Sequence, residues 1–338
     1  MKRRSLSLLT AAITAVGFFT VGTGAASAST PRAASQRHLT HVAVAYVPLP
    51  LFEPLFVAMH NGYFTKNGIA VHLTVVGSGQ SATTLAATNK VQVVLGGFSA
   101  GMFDAIHQGL DFQVVGSMAE EAPGRPANGL VVAKSLVTSG KYRSGADLKG
   151  KKIAVDGGAG STGAYLLAVA LARYHVSLSQ VTLVNLAFPE MESAVKSGGV
   201  AAAYMSTPFL GSALADGAAK LVAGAPVGVA VTGVIYGGTF ARSKAAQGFF
   251  DALVEAAKGL QGKAANSTAN LSIVAKATGE KLSALKAEPP NLFSADLAPP
   301  TAVLQQMQRI YQANHNVDYK APIKPARYLN ASFSAKAH

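Results

Sequence analysis

The sequence predicts an α/β protein with mostly parallel sheets, and three observations predict it. Short apolar runs alternate with helical patterns at the spacing of strand-helix-strand units. The loops after those runs are rich in Gly, Ser and Pro, as a ligand cleft at the C-terminal ends of parallel strands requires. One stretch, Leu148 to Ala172 (LKGKKIAVDGGAGSTGAYLLAVALA), holds the complete unit.

In that stretch Lys152 to Val155 is a strand signal, and Gly157 to Gly160 reads as a tight turn. Ser161 and Thr162 are capping residues before the helical pattern Tyr165, Leu166, Val169, Leu171. The first amides of such a helix have no intrahelical acceptor and lie at the positive end of its dipole, so a phosphate, sulfonate or carboxylate can bind there with no full positive charge nearby. Two nucleotide motifs are imitated and excluded. Gly158, Gly160 and Gly163 fit G-x-G-x-x-G, but no Asp or Glu stands between Gly157 and Pro189 to hold a ribose. A Walker loop needs Lys and Ser/Thr after Gly163, where this chain has Ala164 and Tyr165.

The first residues predict export. Lys2, Arg3 and Arg4 precede the apolar Leu6 to Val21, and Ala26-Ser27-Ala28 is a small-residue cleavage site, so residues 1–28 read as a signal peptide and 29–40 as a polar linker. There is no cysteine, which excludes disulfides, thiol nucleophiles, thiolate metal sites and a lipidated N-terminal Cys. The net charge of +13 arises from 29 Lys+Arg against only 16 Asp+Glu in 338 residues. Bases are scattered rather than clustered, apart from Lys320, Lys324, Arg327 and Lys336 near the end, so no nucleic-acid partner is expected. Scarce carboxylates suit an acidic exterior, where few native pairs are lost to protonation.

Taken in order, His41 to Val47 is a strand, and Pro48 to Pro54 (PLPLFEP) is a loop. A helix through Phe56, Val57 and Met59 ends at Asn61-Gly62. Strands follow at Ile69 to Val76, Val91 to Leu95 and Phe112 to Ser117, with helices to Asn89 and over Ala100 to His107. A second set begins at the strand Gly129 to Ala133. It continues through the Leu148–Ala172 unit, Val181 to Leu186, a helix Glu190 to Lys196, Val200 to Met205, Lys220 to Ala223 and Val229 to Tyr236. From Arg242 the pattern is helical, with Ala245, Phe249, Leu253 and Ala256 at three- to four-residue spacing, and similar faces at 271–277, 282–285 and 302–311.

From about His41 to Tyr311 the chain resembles the solute-binding proteins of ABC importers, in the nitrate, sulfonate, taurine and thiamine-precursor branch. The resemblance is carried by AMHNGYFTKNGIAVHL (Ala58 to Leu73), by DLKGKKIAV (Asp147 to Val155) with GSTGAYLL (Gly160 to Leu167), and by AVKSGGVAAAYMSTPFL (Ala194 to Leu210). It implies a two-lobed periplasmic-binding-protein fold of type II, with lobe 1 over 41–128 and 237–338 and lobe 2 over 129–236. The chain would cross near Gly129 and Tyr236, with C-terminal helices packed on lobe 1. It also implies a monomer that binds a small-molecule ligand, needs no cofactor, and works with an ABC permease and its ATPase. The chain departs from the pattern at Gln92 and at Ala201 or Ala202, where the family often has Asp.

Ser161 and Thr162 match the family's hydroxyls for an anionic head, with the Gly163 amide beside them. Ser78, Gly79, Phe98 and Ser99 lie on strand-end loops facing the same cleft, and they also read as ordinary turn and cap residues. Pro50, Leu51 and Phe52 match the first ligand loop, where Phe52 is available to stack on a ligand. Tyr204, Thr207 and Pro208 are the second lobe's counterparts. Glu53 reads as a solvated loop charge. The family's fold includes enzymes that rely on cysteine, which this chain lacks, and its dispersed histidines offer no metal spacing. Binding without catalysis is therefore expected.

Overall fold

The computed structural model describes residues 38–337. The predicted signal peptide and the linker up to residue 37 lie outside the described residues. No described helix is long and apolar enough to cross a membrane.

Among the described residues, twelve strands form three sheets: β1 (Thr40–Tyr46), β2 (Ile69–Val75), β3 (Val93–Gly97), β4 (Phe112–Ser117), β5 (Glu120–Glu121), β6 (Asn128–Ala133), β7 (Lys152–Val155), β8 (Thr182–Asn185), β9 (Ala202–Ser206), β10 (Ala219–Gly224), β11 (Thr232–Gly237) and β12 (Asn291–Leu292). The two large sheets have orders β2-β1-β3-β11-β4 and β8-β7-β9-β6-β10, and β12 pairs with β5. The orders are the same pattern used twice. In the first sheet β1 pairs in parallel with β2 and β3, while β11 runs antiparallel to β3 and β4. In the second, β7 pairs in parallel with β8 and β9, while β6 runs antiparallel to β9 and β10.

The reversed strand in each sheet is the one that arrives from the other sheet. It enters at the end where the other four strands finish, so it must run away from that end. Both sheets therefore aim the C-terminal ends of their parallel strands at the two crossing segments, where α/β sheets place ligands.

The return crossing differs from expectation. Val229 to Tyr236 reads as one apolar strand of the second set, but β11 lies within the first sheet, and Tyr236 is buried there with its hydroxyl donating to the Ala246 carbonyl at 3.0 Å. The chain thus crosses at 225–231, before Thr232, and not at Tyr236. An apolar run signals burial on both faces but does not say against which sheet.

That two-sided burial explains the composition of the central strands. Along β1, Val42, Val44 and Tyr46 face one core cluster and Ala45 the other; along β3, Val93 and Leu95 oppose Val94 in the same way. Each fully buried aliphatic side chain contributes about 1.5–3 kcal/mol relative to exposure. The helix Thr162–Ala172 is apolar around most of its circumference, burying Ala164, Tyr165, Leu166, Leu167, Ala170 and Leu171, as a helix covered on several sides must be. Among the C-terminal helices, Ala245–Gly259 packs on Glu53–His60 of the first lobe. Thr301–Ala313 instead touches helices of both lobes, Ala100–His107 and Thr162–Ala172, so it straddles them.

Candidate functional site

Among the described residues, the helices Gly79–Ala87, Ala100–His107 and Thr162–Ala172 begin at the cleft and are each capped by a serine. Ser78 Oγ accepts from the Ser81 amide at 3.3 Å, Ser99 Oγ from Met102 at 3.2 Å and Ser161 Oγ from Ala164 at 3.2 Å. Each cap follows a strand end, because a strand that stops at a Gly-rich loop leaves the next helix to start on the same side. Gly157 and Gly158 take φ of +74°, a left-handed conformation that turns the chain sharply between β7 and Ser161. With Ala164 satisfied by the cap, the amides of Thr162 and Gly163 are the donors left at that terminus.

The lobes touch at this point. The Ala100 amide donates to the Gly160 carbonyl at 2.8 Å, and a Cβ on Gly97 would lie 2.1 Å from Thr162 Oγ1, so Thr162 packs directly on the backbone of the opposing lobe. Behind the contact, the Tyr311 hydroxyl reaches the carbonyls of Phe98 at 2.9 Å and Ser161 at 3.1 Å. The crossing segments are also joined: the Glu121 amide donates to the Val229 carbonyl at 3.3 Å, and Glu120 bridges to Ala230.

These elements enclose a cavity of about 1050 Å³ including its open mouth. Leu51, Phe52, Ser78, Gly79, Ser99, Ser161, Thr162, Gly163, Tyr204 and Thr207 line it. Pro50, Phe98 and Pro208 do not. Pro50 opens a buried 3₁₀ turn, Phe98 points into the core and offers only its carbonyl to Tyr311, and Pro208 lies at the start of the helix Phe209–Ala215. Phe188, face-stacked on Phe209 with ring centroids 5.8 Å apart, adds an aromatic wall.

Sequence reasoning missed the acidic lining. Glu120, Glu121 and Asp156 all border the cavity, and its lining includes no Lys, Arg or His. Glu120 and Glu121 lie on a crossing segment, and Asp156 directly follows β7. Burial pushes the Asp156 carboxyl up to about 6, and it raises Glu120 and Glu121 as well. With only 16 acids in the chain, each was a signal that could have been weighed by position.

Glu53 is likewise not a solvated charge. It is 3% exposed, its Oε1 has no partner, and burial pushes it up to about 8. The segment read as a loop over 48–54 turns helical at Glu53, because Pro54 in the first helical turn forfeits no hydrogen bond.

A two-lobed α/β frame with mirrored strand orders and a cleft at the crossings is the periplasmic-binding-protein fold. Solved structures with that fold superpose on most of this chain. The alkanesulfonate-binding protein SsuA from Xanthomonas axonopodis pv. citri, bound to MOPS, aligns with a TM-score of 0.68 at 18% identity, over 86% of this chain and 98% of its own. The periplasmic nitrate-binding protein NrtA from Synechocystis PCC 6803 aligns with a TM-score of 0.69 at 11% identity, over 88% of each chain. A DszB mutant in complex with biphenyl-2-sulfinic acid aligns with a TM-score of 0.56 at 16% identity, over 87% of this chain and 97% of its own. At these identities the likeness shows the fold. No curated protein sequence matches this chain. The NMT1/THI5-like family model matches residues 50–227, more than half of the sequence, and the chain belongs to that family.

Proposed function

We propose that this is an exported solute-binding protein that takes a small organic molecule into the cleft and hands it to an ABC permease with its ATPase, binding the molecule without chemical change. The observation that carries this reading is the convergence of three capped helix N-termini and both crossing segments on one cavity. The donors at the start of helix Thr162–Ala172 suit an acceptor group on the ligand, such as a sulfonate or carboxylate, held by amides and a partial charge of about half a unit. A second reading has its own support: the acidic lining and the Phe52 and Phe188 rings suit a pyrimidine or another aromatic ligand that is neutral or cationic.

The test is a thermal-shift and calorimetric screen of sulfonates, taurine, nitrate, aromatic acids and pyrimidines, with each hit checked for turnover. Saturable binding of an unaltered ligand is the expected result. Conversion of a hit into product would replace the binding reading with an enzymatic one.

A further inference from the structure

The two lobes repeat one architecture, yet the ends of their sheets away from the cleft differ in charge. In lobe 1 that end holds ion pairs: Lys66, shortly before β2, bridges Glu255 at 2.9 Å, and Arg242, after β11, bridges Asp111, which directly precedes β4. In lobe 2 it holds exposed cations that join no salt bridge among the described residues. Lys149, Lys151 and Lys152 lead into β7, Lys134 follows β6, Lys220 opens β10, and Arg173 ends the helix Thr162–Ala172 opposite its Ser161 cap.

The sequence scatters these residues over 134–220, and the backbone gathers them. The Lys134 amide donates to the Ala218 carbonyl at 3.0 Å, the Ala133 amide to the Ala201 carbonyl at 3.0 Å, and the Ala201 amide to the Lys152 carbonyl at 2.9 Å, which ties β6, β7, β9 and β10 at this end. Carboxylates go the other way: Asp156, Glu190 and Glu192 follow the C-terminal ends of β7 and β8, toward the cleft. At the basic end, Asp147 is turned onto the Arg143 and Ser144 amides at 2.7 and 2.9 Å, and Asp216 closes the helix Phe209–Ala215. Like charges gathered on one face repel each other, and an anionic surface relieves that repulsion. In the sheet order β7 and β10 stand three places apart, about 14 Å at ordinary strand spacing, so no single phosphate spans the cations.

We propose that this end of lobe 2 docks on an anionic phospholipid bilayer, with its ammonium and guanidinium groups among the headgroup phosphates. An array of phosphates matches the spread of the cations, and each Lys or Arg near such a surface adds an attraction that fades within a Debye length. The chain has no cysteine to carry an acyl anchor, and charge is the means this face offers for staying at a membrane. The cleft lies at the other end of the lobe, so docking leaves ligand entry open. The choice of lipid over a soluble polyanion rests on the proposed delivery to a membrane permease, whereas the face itself does not depend on what the cleft binds.

Co-sedimentation of the exported protein with vesicles tests it, using phosphatidylcholine alone and equal parts phosphatidylcholine and phosphatidylglycerol. Binding is expected to the anionic vesicles only, with release in about 1 M salt, where the Debye length is about 3 Å. Combining Lys149→Gln, Lys151→Gln and Lys152→Gln should weaken it by about tenfold or more at an unchanged melting temperature. The control combines Lys276→Gln, Lys281→Gln and Lys286→Gln, exposed lysines of lobe 1, and removes the same charge elsewhere; it should bind nearly as wild type. Equal losses in the two variants would mean attraction by net charge alone and overturn the docking face. Binding to phosphatidylcholine, no binding to either vesicle, or capture by soluble polyphosphate without capture by vesicles would overturn it as well. Each of those results leaves ligand binding in the cleft, measured by the separate screen, untouched.

Discussion

The Tyr311 hydroxyl lies 3.1 Å from the Ser161 carbonyl, and the same oxygen is 2.9 Å from the carbonyl of Phe98. One proton thus serves acceptors on two lobes. Ser161 caps the helix at the cavity and Phe98 belongs to the opposing strand-end loop, so the helix Thr301–Ala313 pins the contact from behind. Tyr311→Phe strips the Phe98 carbonyl of the Tyr311 donor and leaves the Ser161 carbonyl with the Tyr165 amide alone, and it should cost about 1–3 kcal/mol of stability. Chemical denaturation would measure that cost. Solution scattering of the ligand-free variant should show a larger radius of gyration than wild type.

Gly97 is required by its neighbour. An alanine there would drive its Cβ to 2.1 Å from Thr162 Oγ1, while the Thr162 Cβ would still be 3.1 Å away. Gly97→Ala should therefore hold the lobes apart and weaken ligand binding at least tenfold, an effect of about 1.4 kcal/mol or more. Adding Thr162→Ala removes the nearer atom and should restore part of the affinity. A double-mutant cycle on ligand binding measures the coupling, and additive losses would mean that the two residues do not meet in the bound state.

Stability should rise as the solution is acidified. Burial pushes Glu53 and Glu288 to about 8, Glu280 to about 7 and Asp156 to about 6, with the Glu280 charge also raising Glu288. In the unfolded chain these carboxyls titrate near their ordinary values, so from about pH 4.5 to 8 the folded protein holds more protons. Their contribution is fully present below about pH 4.5 and is lost as pH climbs through 6 to 8. Asp111, lowered chiefly by its hydrogen bond from Arg242, acts in the opposite sense, and its contribution fades only as pH falls below the ordinary carboxylate range. Glu53→Gln should stabilise the protein by on the order of 3 kcal/mol at pH 9 and change little at pH 4.5. Melting curves at the two pH values decide the matter.

Closure of the lobes should turn on the two crossing segments. The crossing segments 118–127 and 225–231 are hydrogen-bonded to each other, and Gly124 at φ +101° and Gly228 at φ +75° occupy conformations that suit glycine. Saturating ligand should reduce the radius of gyration as the lobes close about this ribbon. An identical scattering profile with and without ligand would mean a rigid cleft.

Much of the architecture was legible because its signals are local. Lys152–Val155, Ala100–His107 and Phe112–Ser117 have the bounds that their residue patterns predict. The serines at 78, 99 and 161 could be placed at helix starts because an N-cap depends on a few consecutive residues. The acidic lining was not legible: Glu121, Asp156 and Tyr204 come from different elements, and only folding brings them to one cavity.

The sequence by itself determined the α/β class, the order of the elements and the three capped turns, since these follow from periodicity and from short-range hydrogen bonding. Only the tertiary structure decided that β11 joins the first sheet, that Glu53 is buried, and that Tyr311 spans two lobes. Those outcomes depend on contacts between segments far apart in the chain: Tyr311 and Ser161 are 150 residues apart. An apolar run or a lone carboxylate specifies what it needs, burial or a partner, but not which distant segment provides it.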